Sequence, residues 1–210
     1  MKLAKDGLLT IIVSAAAAVL FTAFLPSPWH WLGVAMFIFC GFALWFYRDP
    51  DRVFPEGESV LASPADGIVV EIEPAEHPFT GASLKIGIFM TPVSVHVNRV
   101  PCECTIEYIE HVAGRRIPTF APKASEVNER HYVGLRTPYG PVLLVQIAGT
   151  MARRIACWVK CGDVLSAGER YGMIKLGSKV DIYLPAEIKT AVKIGDKVYA
   201  GKTILGAMNK

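Results

Sequence analysis

Cys161-Gly162-Asp163-Val164-Leu165-Ser166-Ala167-Gly168 is echoed 33 residues later by Ile194-Gly195-Asp196-Lys197-Val198-Tyr199-Ala200-Gly201. In both stretches Gly-Asp marks one turn and Ala-Gly a second, with a short apolar segment between them. Asp66-Gly67-Ile68-Val69 opens a third stretch of comparable form. Around these, short β-branched or alternating runs follow one another between glycines and prolines, at residues 68–72, 84–90, 105–109, 142–147 and 180–184. This pattern predicts a mainly β domain, a barrel or sandwich of short strands. One helical turn or two is expected around residues 123–130, where Ala124-Ser125-Glu126-Val127-Asn128-Glu129 lacks breakers.

The doubled Gly-Asp and Ala-Gly turns are similar to the way strands fold over in biotinyl- and lipoyl-type barrels. The carrier lysine motif of those domains is absent, so the likeness concerns architecture and not cofactor attachment.

Upstream the character is different. No Asp, Glu, Lys or Arg occurs between Gly7 and Tyr47, and residues 8–25 and 31–47 are apolar runs of 18 and 17 residues. A helix needs about 17 to 20 apolar residues to cross a bilayer. Trp29, Trp31, Trp45 and Tyr47 stand near the run ends, where amphipathic rings favour the headgroup level. The expectation is a membrane-associated helical hairpin over residues 1–47 and a β-rich domain over 48–210. A second run directly after the first argues against a cleaved secretory signal. Lys2 and Lys5 precede the hairpin and Arg48 and Arg52 follow it, which places both ends on the cytoplasmic side of the cell membrane.

The five cysteines, Cys40, Cys102, Cys104, Cys157 and Cys161, form no even framework and read as reduced thiols. Cys102-x-Cys104 and Cys157-x3-Cys161 lack the spacing of zinc knuckles, so no metal is expected. Setting aside Lys2, Lys5 and Asp6, the chain carries 20 basic and 18 acidic residues, a balance that gives no reason to expect nucleic acid.

Chemistry concentrates at Gly177-Ser178, within the run Met173-Ile174-Lys175-Leu176-Gly177-Ser178-Lys179-Val180-Asp181-Ile182-Tyr183-Leu184-Pro185. A serine hydroxyl after glycine can attack the glycine's carbonyl, because glycine permits both strain and close approach. On its own the pair is a common turn dipeptide. The attack needs a base, and the chain has five histidines: His30, His77, His96, His111 and His131. His96 stands in an apolar strand pattern, Thr91 to Pro101, that would hold it rigidly; such a histidine is also a common satisfied core residue. Asp66 is either a turn residue or a partner for that base.

Taken in order, several segments resemble the phosphatidylserine decarboxylase family in its short bacterial and archaeal form, which includes archaetidylserine decarboxylases. They are the N-terminal hairpin, Phe46-Tyr47-Arg48-Asp49-Pro50, Ser63-Pro64-Ala65-Asp66-Gly67, Val95-His96-Val97-Asn98-Arg99, Asn128-Glu129-Arg130, Gln146-Ile147-Ala148-Gly149, Ala152-Arg153-Arg154-Ile155 and Gly177-Ser178. The resemblance runs across nearly the whole chain.

It implies a pyruvoyl-dependent enzyme that processes itself between Gly177 and Ser178, giving a large chain 1–177 and a small chain 178–210 that stay together as a heterodimer. Ser178 would become the covalent pyruvoyl cofactor. Phosphatidylserine would bind it as a Schiff base and lose carbon dioxide, yielding phosphatidylethanolamine at the membrane. The resemblance also implies catalytic roles for Ser178, His96 and Asp66, with His96 as base and Asp66 as its orienter. Two departures stand out: Lys179 follows Ser178 where longer members have threonine, and Arg99 takes the place of a second histidine. The resemblance thus leaves three roles open for His96: cleavage, protonation of the decarboxylated intermediate, or both in turn. Arg115, Arg116, Arg153 and Arg154 are candidates to meet the lipid phosphate. Two other readings are a membrane-tethered, non-enzymatic barrel-sandwich adaptor or carrier-like module, and a serine peptidase, for which Ser178 lacks the Gly-x-Ser-x-Gly elbow.

Overall fold

The uncharged N-terminal stretch folds as two helices, α1 (Leu8–Phe24) and α2 (Trp31–Phe46), bracketed by the short antiparallel pair β1 (Lys2–Leu3) and β2 (Arg48–Asp49). These belong to a first compact unit, Met1–Asp51; Arg52–Lys210 form a second. The computed structural model describes residues 2–119, 124–150, 155–175 and 178–208.

In the first unit the two helices bury mostly small residues and leave most of their large ones exposed. Ser14 and Ala18 are the buried residues of α1, and Gly33, Cys40, Ala43 and Phe46 those of α2. A Cβ on Gly33 would lie 2.1 Å from Thr22 Oγ1, so the two backbones meet there and only glycine fits. Close approach at small residues is how helices pack where lipid supplies no hydrophobic drive. Leu9, Ile12, Phe24 and Ile38 are meanwhile more than 60% exposed, the reverse of a soluble helix pair. Residues Lys5–Phe24, 20 in all with mean hydropathy 2.3, are long and apolar enough to cross a membrane; α2 has 16 residues.

The second unit contains β3 (Val60–Ala62), β4 (Gly67–His77), β5 (Gly81–Met90), β6 (Val97–Arg99) and β7 (Cys104–Val112). A single helical turn, α3 (Ala124–Val127), falls where the sequence lacks breakers. Then come β8 (Arg130–Thr137), β9 (Gly140–Ile147), β10 (Ile155–Cys157), β11 (Val164–Leu165) and β12 (Arg170–Ile174). The chain ends with β13 (Ser178–Pro185), β14 (Lys189–Thr190), β15 (Lys197–Val198) and β16 (Ile204–Ala207). Eight strands form one sheet in the order β11-β7-β8-β9-β13-β5-β4-β15, accompanied by the three-stranded sheets β10-β12-β6 and β14-β16-β3. The five strands anticipated from alternation all lie in the large sheet, as β4, β5, β7, β9 and β13. The protein is thus mainly β with an N-terminal apolar helix pair, as expected.

The sequence repeat is a structural repeat. Gly162 and Gly195 adopt φ of 92° and 95°, and Gly168 and Gly201 φ of 73° and 65°, values that disfavour a side chain. Asp163 Oδ2 accepts the N–H of Lys160, and Asp196 Oδ2 that of Lys193, each at 2.9 Å. Gly162 N–H donates to Ile106 O and Gly195 N–H to Val69 O, both at 2.8 Å. The two turns thereby set β11 on β7 and β15 on β4, closing opposite edges of the same sheet. Between them the sheet's inner face is apolar: Val69, Ile88, Val133, Leu144, Val180 and Ile182 are fully buried.

Burial also decides the thiols. It pushes Cys102 and Cys104 up to about 12, leaving almost no thiolate, the reactive form, at neutral pH. In detergent at pH 8, a maleimide should label exposed Cys161 and spare Cys40, Cys102 and Cys104. Gly33→Leu should make Cys40 reactive by prising the helices apart, whereas Gly41→Leu, with open space around its Cβ, should not. Mass spectrometry of the labelled chain reads both outcomes.

Candidate active site

Ser178 opens β13, the strand with β5 on one side and β9 on the other. Its register partner is Met90, the last residue of β5. The hydroxyl is fully buried, and its hydrogen-bond partner among the described residues is the Met90 thioether, Oγ to Sδ 3.4 Å. A thioether is a weak acceptor, so the hydroxyl is placed but hardly engaged. Gly177, the other half of the expected cleavage site, lies outside the described residues.

The same sulfur receives a second donor. Asn98, in β6, points Nδ2 at Met90 Sδ, 3.7 Å away, and its Oδ1 accepts a 2.8 Å bond from Gln146 Nε2. All three of these side chains are fully buried. At Gly172, the register partner of Asn98 in β12, a Cβ would meet the Ala156 carbonyl at 2.5 Å and Gln146 Nε2 at 3.2 Å. In the sequence Asn98 and Gln146 stand inside longer motifs, and nothing local marks Met90. The available signal was a polar residue in the middle of an apolar strand, which is seldom buried without a purpose.

His96 immediately precedes β6 and is fully buried. Its carbonyl accepts the N–H of Ile174 at 3.3 Å, four residues before Ser178. Asp66 sits in the turn before β4, stitched to β6 by the bond from Arg99 N–H to Pro64 O at 2.9 Å. Its carboxylate takes both arms of the Arg52 guanidinium, at 2.6 and 2.8 Å, and the N–H of Ala200 at 2.8 Å. Such a bidentate, charge-assisted clamp fixes the carboxylate's plane. Arg52, read from the sequence as a flanking positive charge, is therefore a structural partner of Asp66.

The other face of β13 carries charge. Lys179 is 5% exposed, and its ammonium donates to Glu71 and, at 3.2 Å, to Ser125 Oγ in α3. Asp181 Oδ1 is 3.0 Å from the same nitrogen without hydrogen-bond geometry, a Coulombic contact. Lys85 adds ion pairs to Glu71 and Glu73 at 3.1 and 2.6 Å. Burial alone would raise Glu71, but the two lysines outweigh it and hold the carboxyl below its ordinary value. For Asp181 burial prevails over Lys179, and its carboxyl is held up. Among the candidate arginines, Arg116 is paired with Glu129 at 2.8 Å. The Arg115 N–H and carbonyl bond to Val127 and Glu129, and Arg153 and Arg154 lie outside the described residues.

A β-rich unit with a buried serine opening an interior strand, in a chain that also has an apolar helix pair, defines a class that sequence comparison makes specific. The chain belongs to the phosphatidylserine decarboxylase family, whose sequence model matches residues 39–206. It is 44% identical over 179 residues to the phosphatidylserine decarboxylase proenzyme of Carboxydothermus hydrogenoformans, covering 84% of each chain. The proenzymes of the same name from Chlorobium phaeovibrioides and Syntrophus aciditrophicus are 42% and 40% identical, over 96% and 97% of this chain and 94% and 96% of theirs.

Proposed function

We propose that this chain is the precursor of a membrane-held phosphatidylserine decarboxylase that converts its own Ser178 into a pyruvoyl group. The observation that carries the reading is the Ser178 hydroxyl, buried at the head of an interior strand against a thioether. Family membership and the name proenzyme borne by the relatives support it.

Self-processing needs only the chain and water. Ser178 Oγ bonds to the Gly177 carbonyl carbon as the C–N bond to Ser178 breaks, turning the amide into an ester. Loss of the Ser178 Cα proton then expels Oγ with the Gly177 carboxylate, leaving dehydroalanine at position 178. Water replaces its nitrogen, releasing ammonia and leaving a ketone. The products are a large chain 1–177 and a small chain 178–210, held as a heterodimer.

Residue 178 fits this fate. Once Oγ is gone its Cβ becomes a methyl, and the polarizable sulfur of Met90 suits a methyl as well as a hydroxyl. At position 178 the ketone would supply an electrophile for the serine amine of phosphatidylserine and a sink for the electrons released with carbon dioxide. We assign His96 as the base for the Ser178 proton and Asp66, clamped by Arg52, as the carboxylate that orients it. The hairpin of residues 1–47 keeps the catalytic domain, 48–210, at the headgroup layer on the cytoplasmic side of the cell membrane.

Mass spectrometry of the small chain tests the reading: a keto-blocked residue 178 is expected, and a free serine amine overturns it. Borohydride added with the aminophospholipid should tether lipid to that same piece. His96→Ala should slow splitting by about 10² to 10⁴, followed as precursor lost with time.

A further inference from the structure

The hydrogen bonds around Met90 fix which way a buried amide faces. Gln146 Nε2 donates to Asn98 Oδ1, so the Asn98 carboxamide must turn its Nδ2 the other way, to Met90 Sδ. Turning Asn98 over would set two N–H groups against each other and an oxygen against the sulfur. One sulfur atom therefore receives both Asn98 Nδ2 and Ser178 Oγ, at 3.7 and 3.4 Å. An N–H donor in a fully buried setting is costly to leave on so poor an acceptor. It is correspondingly cheap to redirect.

The self-processing proposed above develops negative charge at one place beside that sulfur. When the ester breaks, Oγ leaves position 178 as a carboxylate oxygen of Gly177, a far stronger acceptor than the ester oxygen or the thioether. We propose that Asn98 is a catalytic residue of the elimination step, donating Nδ2–H to Oγ as it departs, and that Gln146 is a positioning residue that keeps the donor so turned. The inference rests on the self-processing reading and adds to it a division of labour: the first step, ester formation, needs His96, and the second needs Asn98.

The step is tested by what accumulates. Asn98→Leu and Asn98→Asp both remove the donor, the latter with its shape kept, and Gln146→Glu reverses the amide by facing Asn98 with an acceptor. Each purified precursor is incubated and then treated with hydroxylamine. Hydroxylamine cleaves an ester to leave Gly177 as a hydroxamate and residue 178 as a serine with a free amine. Elimination slowed by about ten- to hundredfold should build up this hydroxylamine-labile species in the variants, while ester formation continues. A residue that only supports the fold would slow both steps without enriching the ester. Splitting at the wild-type rate with no labile ester, in Asn98→Leu or in Asn98→Asp if the leucine variant misfolds, overturns the proposal. If instead the wild-type small chain begins with a free serine amine, it is the self-processing reading that falls.

Discussion

With Ser178→Ala, the 22.9 kDa precursor should persist as a single chain and no decarboxylation of phosphatidylserine should develop. The substitution is nearly invisible to the fold. Ser178 is fully buried, alanine keeps its Cβ, and the hydrogen-bond partner that the hydroxyl loses among the described residues is the Met90 sulfur. The pairing of β13 with β5 and β9 uses backbone groups that alanine retains. Loss of splitting therefore reports loss of the attacking oxygen and not of structure. A denaturing gel reads the first effect and a headgroup assay the second. A non-enzymatic adaptor predicts no difference between the variant and the wild type, both remaining one chain. A variant that still splits between residues 177 and 178 would refute the mechanism outright.

The second large effect concerns stability. Lys179→Met, made in the Ser178→Ala background so that processing does not intervene, should cost about 3 kcal/mol, or lower the melting point by about 10 °C. Asp181 is 2% exposed and would lose the cation 3.0 Å away, while Glu71 would keep only Lys85. An unpaired buried carboxylate is the expensive product of such a change. Adding Asp181→Asn should recover part of the loss. Acid should shrink the difference, because the folded Glu71 carboxyl lies below its ordinary 4.5. The stability that depends on its charge is complete above that value and disappears as pH falls through the folded one. Equal melting points for the two proteins at neutral pH would show that the network adds nothing.

How far the sequence could be read depended on whether a feature was local. Alternation placed β4, β5, β7, β9 and β13, because the period of two is a property of each strand alone. The Gly-Asp repeat was legible for the same reason, as its glycines and aspartates complete their turns within a few residues. Ser178 and His96 were singled out as candidates by the motifs in which they stand. Met90, Asn98 and Gln146 were not, since β5, β6, β9 and β13 meet only after the sheets assemble. Lys179 read as a mere departure from a longer relative's threonine. Asp181 is two residues along the same strand, but Glu71 and Ser125 come from β4 and α3, and only the finished sheet reveals that the lysine is buried.

The flanking of β13 by two neighbours, eight register pairs to β5 and five to β9, would set the order of events in the proposed self-processing. A nick ahead of such an interior rung severs one bond and leaves every lateral one intact, so the short fragment would withstand dilution, salt and gel filtration. Made separately, that fragment would have to enter a slot its neighbours have already closed. Under the proposed self-processing, maturation would work as a ratchet, with folding first, scission second, and neither replayed from the pieces.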